Sequence, residues 1–224
     1  GGYVPCRLSM PFLFALPLCG VSIDFAKCFD MLPHNILFQM ARTAGMPEPL
    51  IRALRGMYSQ LTRSFKTGGM VGEAFPSTNG ILQGCPVSVL LLNLFAQTWA
   101  SAVQAEVPGS DPKAYADDMS ATGIDPETIE EVLGVTAEFA QLTDMEVSAK
   151  KSHVWSTKPE MRKLLQQVAR ISGQEIPCVS DDRMLGAYVS FTKKRKPTTL
   201  SRKLQTCLDI CGRIEASLLP PACE

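Results

Sequence analysis

The chain has 224 residues, 46% of them apolar and 20% charged, so it can bury a core of its own and is no disordered tail. Lys plus Arg balance Asp plus Glu at 22 each and the pI is about 6.9, which excludes a global field drawing it to nucleic acid or an anionic membrane. Eight scattered cysteines without CxxC spacing, and only His34 and His153 beside them, argue against zinc and for a reduced intracellular protein, nuclear or cytoplasmic.

In chain order, residues 1–20 carry Pro5, Pro11 and Pro17 without periodicity and are expected to be a connector. The apolar run from Met10 to Ile23 is too short for a bilayer span and no basic region precedes it, so neither a membrane segment nor a signal peptide is expected. The Gly-Gly start suggests a piece of something longer. Val21 to Phe25 reads as a buried strand holding Asp24, Pro33 opens a helix, and Pro47 opens a second running to about Leu61. Glycines at 68, 69, 72 and 80 flank a hairpin or two short strands between Arg63 and Phe75.

Gln83-Gly84-Cys85-Pro86 leads into an apolar stretch, Val87 to Val103, expected to be a central helix covered on most sides. An acidic hairpin follows, turning at or near Asp117-Asp118, and Asp125-Pro126 caps a helix with Ile129, Val132, Leu133, Thr136, Phe139 and Ala140 on one face. His153 to Trp155 reads as a strand, Glu160 to Ile171 as a helix, Met184 to Phe191 as a strand, and Leu200 to Leu218 as a last helix.

Adjacent carboxylates repel, so Asp117 and Asp118 within an apolar segment point either to an exposed acidic turn or to a cation between them. The order strand, helices, buried helix, acidic hairpin, helix, strand is an α+β split β-α-β pattern with an antiparallel sheet. If the first strand lies beside the hairpin, Asp24 joins the pair. Three hard oxygen ligands favour two Mg²⁺ ions, or Mn²⁺, the arrangement used for in-line phosphoryl transfer.

Four ordered segments now carry a resemblance. They are Ser22-Ile23-Asp24-Phe25-Ala26-Lys27-Cys28-Phe29-Asp30, Gly80-Ile81-Leu82-Gln83-Gly84-Cys85-Pro86-Val87-Ser88, Tyr115-Ala116-Asp117-Asp118, and a weaker Val147-Ser148-Ala149-Lys150-Lys151-Ser152 with Leu185-Gly186. The chain resembles the palm of a reverse transcriptase of the non-LTR retrotransposon type, with a ferredoxin-like sheet and helices on one face. The resemblance implies an RNA-directed DNA polymerase acting on an RNA template, a DNA primer and a dNTP. Asp24, Asp117 and Asp118 would be catalytic metal ligands, and Lys151 would meet the pyrophosphate. Phe25, Phe29, Gln83, Gly84 and Tyr115 would contact nucleotide or template, with Phe29 excluding a 2′-hydroxyl. Leu185, Gly186, Lys193, Lys194, Arg195 and Lys196, followed by Arg202 and Lys203, would contact primer and duplex. The implied division is a fingers remnant at 1–20, a palm at 21–191 and the start of a thumb at 192–224.

The chain departs from the family pattern at Cys28, Leu82, Val89, Ser148 and Met184, and nothing in residues 1–20 can supply the basic fingers region that family members carry upstream of the palm. Missing fingers, thumb or endonuclease regions of a longer polyprotein would have to supply it. Two other readings stay open: a decayed or domesticated, catalytically inactive element that at most binds nucleic acid, and a nucleotidyl cyclase. The cyclase is disfavoured by the Gln-Gly-Cys-Pro segment.

Overall fold

A computed structural model describes residues 17–184, 187–192 and 205–210. The chain opens with β1 (Cys19–Ile23), α1 (Cys28–Met31), α2 (His34–Thr43) and α3 (Glu48–Ser59). Two nested hairpins follow, the outer of β2 (Thr62–Arg63) with β5 (Phe75–Pro76) and the inner of β3 (Lys66–Thr67) with β4 (Met70–Val71). Then come α4 (Pro86–Glu106), β6 (Asp111–Tyr115), β7 (Asp118–Gly123), α5 (Pro126–Leu142), β8 (His153–Ser156) and α6 (Pro159–Val168). The remaining strands are β9 (Arg170–Ile171), β10 (Gln174–Glu175), β11 (Cys178–Val179), β12 (Asp181–Met184) and β13 (Ala187–Ser190).

The main sheet runs β11-β8-β1-β7-β6. Its four strands β8, β1, β7 and β6 pair antiparallel in the interleaved order expected of a split β-α-β unit, and β11 adds a parallel edge that the sequence reading lacked. Alternation sets its two faces. Cys19, Val21, Ile23, Met119, Ala121 and Val154 point to one side and are buried, while Ser22, Ser120, Thr122 and His153 point to the other.

Helices α4 and α5 cover the buried side. Trp99 is fully buried and donates its Nε1–H to Thr136 Oγ1 at 3.1 Å, tying α4 to α5. Phe25, Phe95 and Phe139 form an aromatic cluster between sheet and helices, with Phe25 and Phe95 edge to face at 5.3 Å. Pro86 occupies the first turn of α4, and Asp125 caps α5 by accepting the Thr128 N–H at 2.7 Å.

Several expected elements shift. Helix α4 is covered on its Leu91, Leu92, Phe95, Trp99 and Val103 face, but Val89 and Leu90 are exposed, so it is half-covered. Among the described residues it alone is long and apolar enough to cross a membrane, by length and composition. The helix expected to Ile171 ends at Val168 and gives way to the β9–β10 hairpin around Gly173. The strand expected over 184–191 is one arm of the β12–β13 hairpin. Of the last helix, residues 205–210 are described, and they are helical.

Candidate active site

The β1–β7 register ends at Ile23 opposite Met119, so one residue further on Asp24 comes beside Asp118 on the open face. The β6–β7 hairpin pairs Tyr115 with Asp118, leaving Ala116 and Asp117 as its two loop residues, Ala116 at φ +55°. The turn falls at the expected acids, with Asp117 in the loop and Asp118 opening β7. Asp24 is fixed by its backbone. Its N–H donates to Ser152 Oγ at 3.0 Å and its carbonyl accepts the Ser148 N–H at 2.8 Å.

The same 148–152 segment brings Lys151 Nζ to 3.8 Å from Asp24 Oδ1, a loose pair with the lysine 67% exposed. Asp24 Oδ1 is nevertheless buried and accepts no hydrogen bond. Asp118 is exposed as a residue, yet partial desolvation of its carboxyl, then the charges of Asp117, Asp24 and Asp182, hold its pKa above the usual carboxylate value. Burial, then Asp117 and Asp24, push the Cys28 thiol up to about 12, so it stays neutral beneath the acids.

A buried carboxylate oxygen that accepts no hydrogen bond, amid mutually repelling acids, fits a hard divalent cation in donor chemistry. In this conformation, among the described residues, no three His, Cys, Asp or Glu side chains converge on one ion.

A second group surrounds Phe29, half-buried on α1. The Ile81 N–H donates to Phe29 O at 2.6 Å, the Gly80 N–H to Leu32 O at 2.8 Å, and His34 Nε2–H to Gly80 O at 2.6 Å. Arg63 joins from β2, 3.3 Å from Asp30. Gly80 holds φ +85°, and a Cβ there would lie 2.5 Å from Asp30 O. The loop carrying Gln83 and Gly84 is thereby tied to the helix carrying Phe29. Both loop residues are exposed, with Gly84 at φ +87° in open space.

One expected contact is corrected. Phe25 is 3% exposed inside the core cluster and faces no surface a nucleotide could reach. Tyr115 is 70% exposed on the face that carries Asp118. Leu185, Gly186, Lys193, Lys194, Arg195, Lys196, Arg202 and Lys203 lie outside the described residues. Sequence reasoning missed the supports Ser148, Ser152, His34 and Arg63. His34, directly after a helix-opening proline and one of only two histidines, carried a signal that could have found it.

The family model described as reverse transcriptase (RNA-dependent DNA polymerase) matches residues 16–176. The chain is 25% identical over 166 residues to the Retrovirus-related Pol polyprotein from type-2 retrotransposable element R2DM of Drosophila melanogaster, covering 70% of this chain and 16% of that protein. It is 27% identical over 142 residues to a Pol polyprotein from type-1 retrotransposable element R2 of Popillia japonica, covering 59% and 20%. The chain therefore spans about a fifth or less of these curated relatives. Apo telomerase from Candida tropicalis truncated from its C-terminal domain superposes with TM-score 0.57 at 15% identity, over 78% of this chain and 34% of that one. Telomerase from the same organism in complex with a fragment of telomeric RNA gives TM-score 0.53 at 14% identity, over 65% and 27%. The shared architecture is the polymerase palm.

Proposed function

Because the chain belongs to the reverse transcriptase (RNA-dependent DNA polymerase) family, we propose that it is the palm of an RNA-directed DNA polymerase, extending a DNA primer on an RNA template with dNTPs. The observation that carries the site assignment is the register that sets Asp24 beside Asp118 at the mouth of an acidic hairpin. Asp24, Asp117 and Asp118 would hold Mg²⁺, or Mn²⁺, in a two-ion site. Divalent ions held there would supply the charge that activates a primer 3′-hydroxyl and neutralises a leaving pyrophosphate.

The chain's own groups do the placing. Ser148 and Ser152 hold Asp24 at the strand end, so its carboxylate stays aimed at the open face. Lys151, exposed beside Asp24, carries a mobile ammonium to the side where phosphate charge builds up. Phe29 would lie under the sugar, and Gln83-Gly84 would close over base and template, at a separation kept by the bonds from Gly80 and Ile81 to α1. Tyr115 would meet the nucleotide beside the acids. Residues 21–191 form the palm in this reading, 1–20 a fingers remnant and 192–224 the start of a thumb whose basic residues follow the duplex. A longer polyprotein would supply fingers and endonuclease.

A non-catalytic palm that only binds nucleic acid is the second reading, favoured by the lack of convergence of the acids among the described residues. Primer extension on an RNA template in Mg²⁺ or Mn²⁺ separates the two. Extension by the chain that vanishes in Asp117→Asn supports the polymerase. Absence of extension, also when upstream sequence is supplied, leaves the binding module.

A further inference from the structure

The Gln83-Gly84 loop is exposed at its tip, and a Cβ on Gly84 would stand in open space, so the place of the tip is set from the two ends of the loop. Those ends are Gly80, directly ahead of Ile81, and Ser88, in the first turn of α4. Both are met by side chains from α2 and α3 that the proposed chemistry leaves unused.

At the front end His34 Nε2 lies 2.6 Å from Gly80 O, and since a carbonyl only accepts, the ring carries its proton on Nε2. At the back end the Tyr58 hydroxyl lies 3.3 Å from Ser88 Oγ, with both residues 1% exposed or less. The two rings meet each other, 4.8 Å apart at 53°, and Phe38 packs against both, 6.4 Å from His34 and 6.3 Å from Tyr58. Arg55 lies over the Phe38 ring at 5.5 Å. A pair of buried hydroxyls carries a desolvation cost that a Phe facing an Ala would avoid. What the pair supplies is direction, because an O–H to O contact fixes where the first turn of α4 stands and an apolar contact lets it slide. The Ser88 N–H donates to Cys85 O at 3.0 Å and the Cys85 N–H to Leu82 O at 3.3 Å, which carries that anchor into the loop.

We infer that His34 and Tyr58 are positioning residues that together clamp both ends of the Gln83-Gly84 loop and hold it in one place beside Phe29 before a nucleotide arrives, where the nucleotide rests on the polymerase reading and the clamp on the distances alone. A loop released from the clamp samples other places, and affinity falls by the fraction of time it spends in the competent one. Bound nucleotide restores that place, so KM carries the loss and kcat does not.

Hydrogen exchange on the 224-residue chain tests the clamp without catalysis. The disrupting variants are His34→Leu, Tyr58→Phe and Ser88→Ala, and the conservative one is His34→Gln, whose amide keeps a donor near the place of Nε2. The amides of Gly80 and Ile81 should exchange about tenfold or more faster in His34→Leu, and those of Cys85 and Ser88 likewise in Tyr58→Phe and Ser88→Ala, with β1 and α5 unchanged and protection recovered in His34→Gln. Unchanged loop exchange, or equal loss across β1 and α5 in all three, overturns the inference. In primer extension the same three should raise the dNTP KM by about tenfold with kcat within about twofold, and His34→Gln should restore KM. An unchanged KM in variants whose loop is released, or a fall in kcat alone, overturns the positioning role. A wild-type chain that extends nothing sinks the polymerase reading instead, and the exchange result alone then decides the clamp.

Discussion

Two glycines with nearly the same backbone angle stand in opposite surroundings, and replacing each by alanine separates strain from clash. Gly80 and Gly84 lie at φ +85° and +87°. An alanine at either position pays for a left-handed backbone, about 1–2 kcal/mol. At Gly84 nothing lies within 4 Å of the added Cβ, so that is the whole cost. At Gly80 the Cβ meets Asp30 O at 2.5 Å, Asp30 C at 2.8 Å and Arg63 Nη2 at 2.8 Å. The arginine can swing away, but the α1 backbone cannot without loosening the Gly80 to Leu32 and Ile81 to Phe29 bonds. Overpacking of that kind adds about 1–3 kcal/mol, for a total of about 2–5. For a chain of this size each kcal/mol moves Tm by about 2–4 °C, so Gly84→Ala should lower it by about 3 °C and Gly80→Ala by about 10 °C. Thermal unfolding by circular dichroism gives the comparison. Equal shifts would refute the clash, and with it the idea that this glycine moulds the Gln83-Gly84 loop onto the Phe29 helix.

Other expectations follow from the acids and the core. Asp118 binds its proton more tightly folded than unfolded, so its contribution favours the fold below the unfolded pKa and is lost as pH rises through the raised folded pKa. Asp118→Asn should therefore stabilise the cation-free protein at neutral pH, with the gain shrinking in acid and on adding Mg²⁺, as read from urea titrations. Lys151→Met should leave stability within about 0.5 kcal/mol, since the Asp24 pair is loose and exposed, while slowing primer extension at least tenfold by single-turnover kinetics. Trp99→Phe should cost about 2–3 kcal/mol from a lost hydrogen bond to Thr136 and a cavity in a fully buried site, measured by denaturant unfolding.

What could be read from the sequence was whatever local chemistry dictates. Asp125-Pro126 announces α5 because a capping acid and a first-turn proline act on their own residues. The acidic hairpin was legible from its doublet, and Asp24 from its place at the end of an apolar strand. Phe25 was misplaced although the rule was at hand: neighbours on an extended strand point to opposite sides, so a residue next to an outward Asp24 turns into the core. The β12–β13 hairpin was read as a single strand because its first arm, Asp181–Met184, carries no apolar alternation to mark it as one. The tethers Ser148 and Ser152 were hidden because a serine says nothing of which distant amide it will meet.

The central claim is that acids from two distant segments make one divalent-ion site. Mn²⁺ titration followed by electron paramagnetic resonance tests it most directly, on the chain and on Asp24→Asn, Asp118→Asn and the double variant. Saturable binding that weakens at least tenfold in each single variant, with little further loss in the double, is the expected result. Binding that persists unchanged in Asp24→Asn, or losses that simply add, would contradict it.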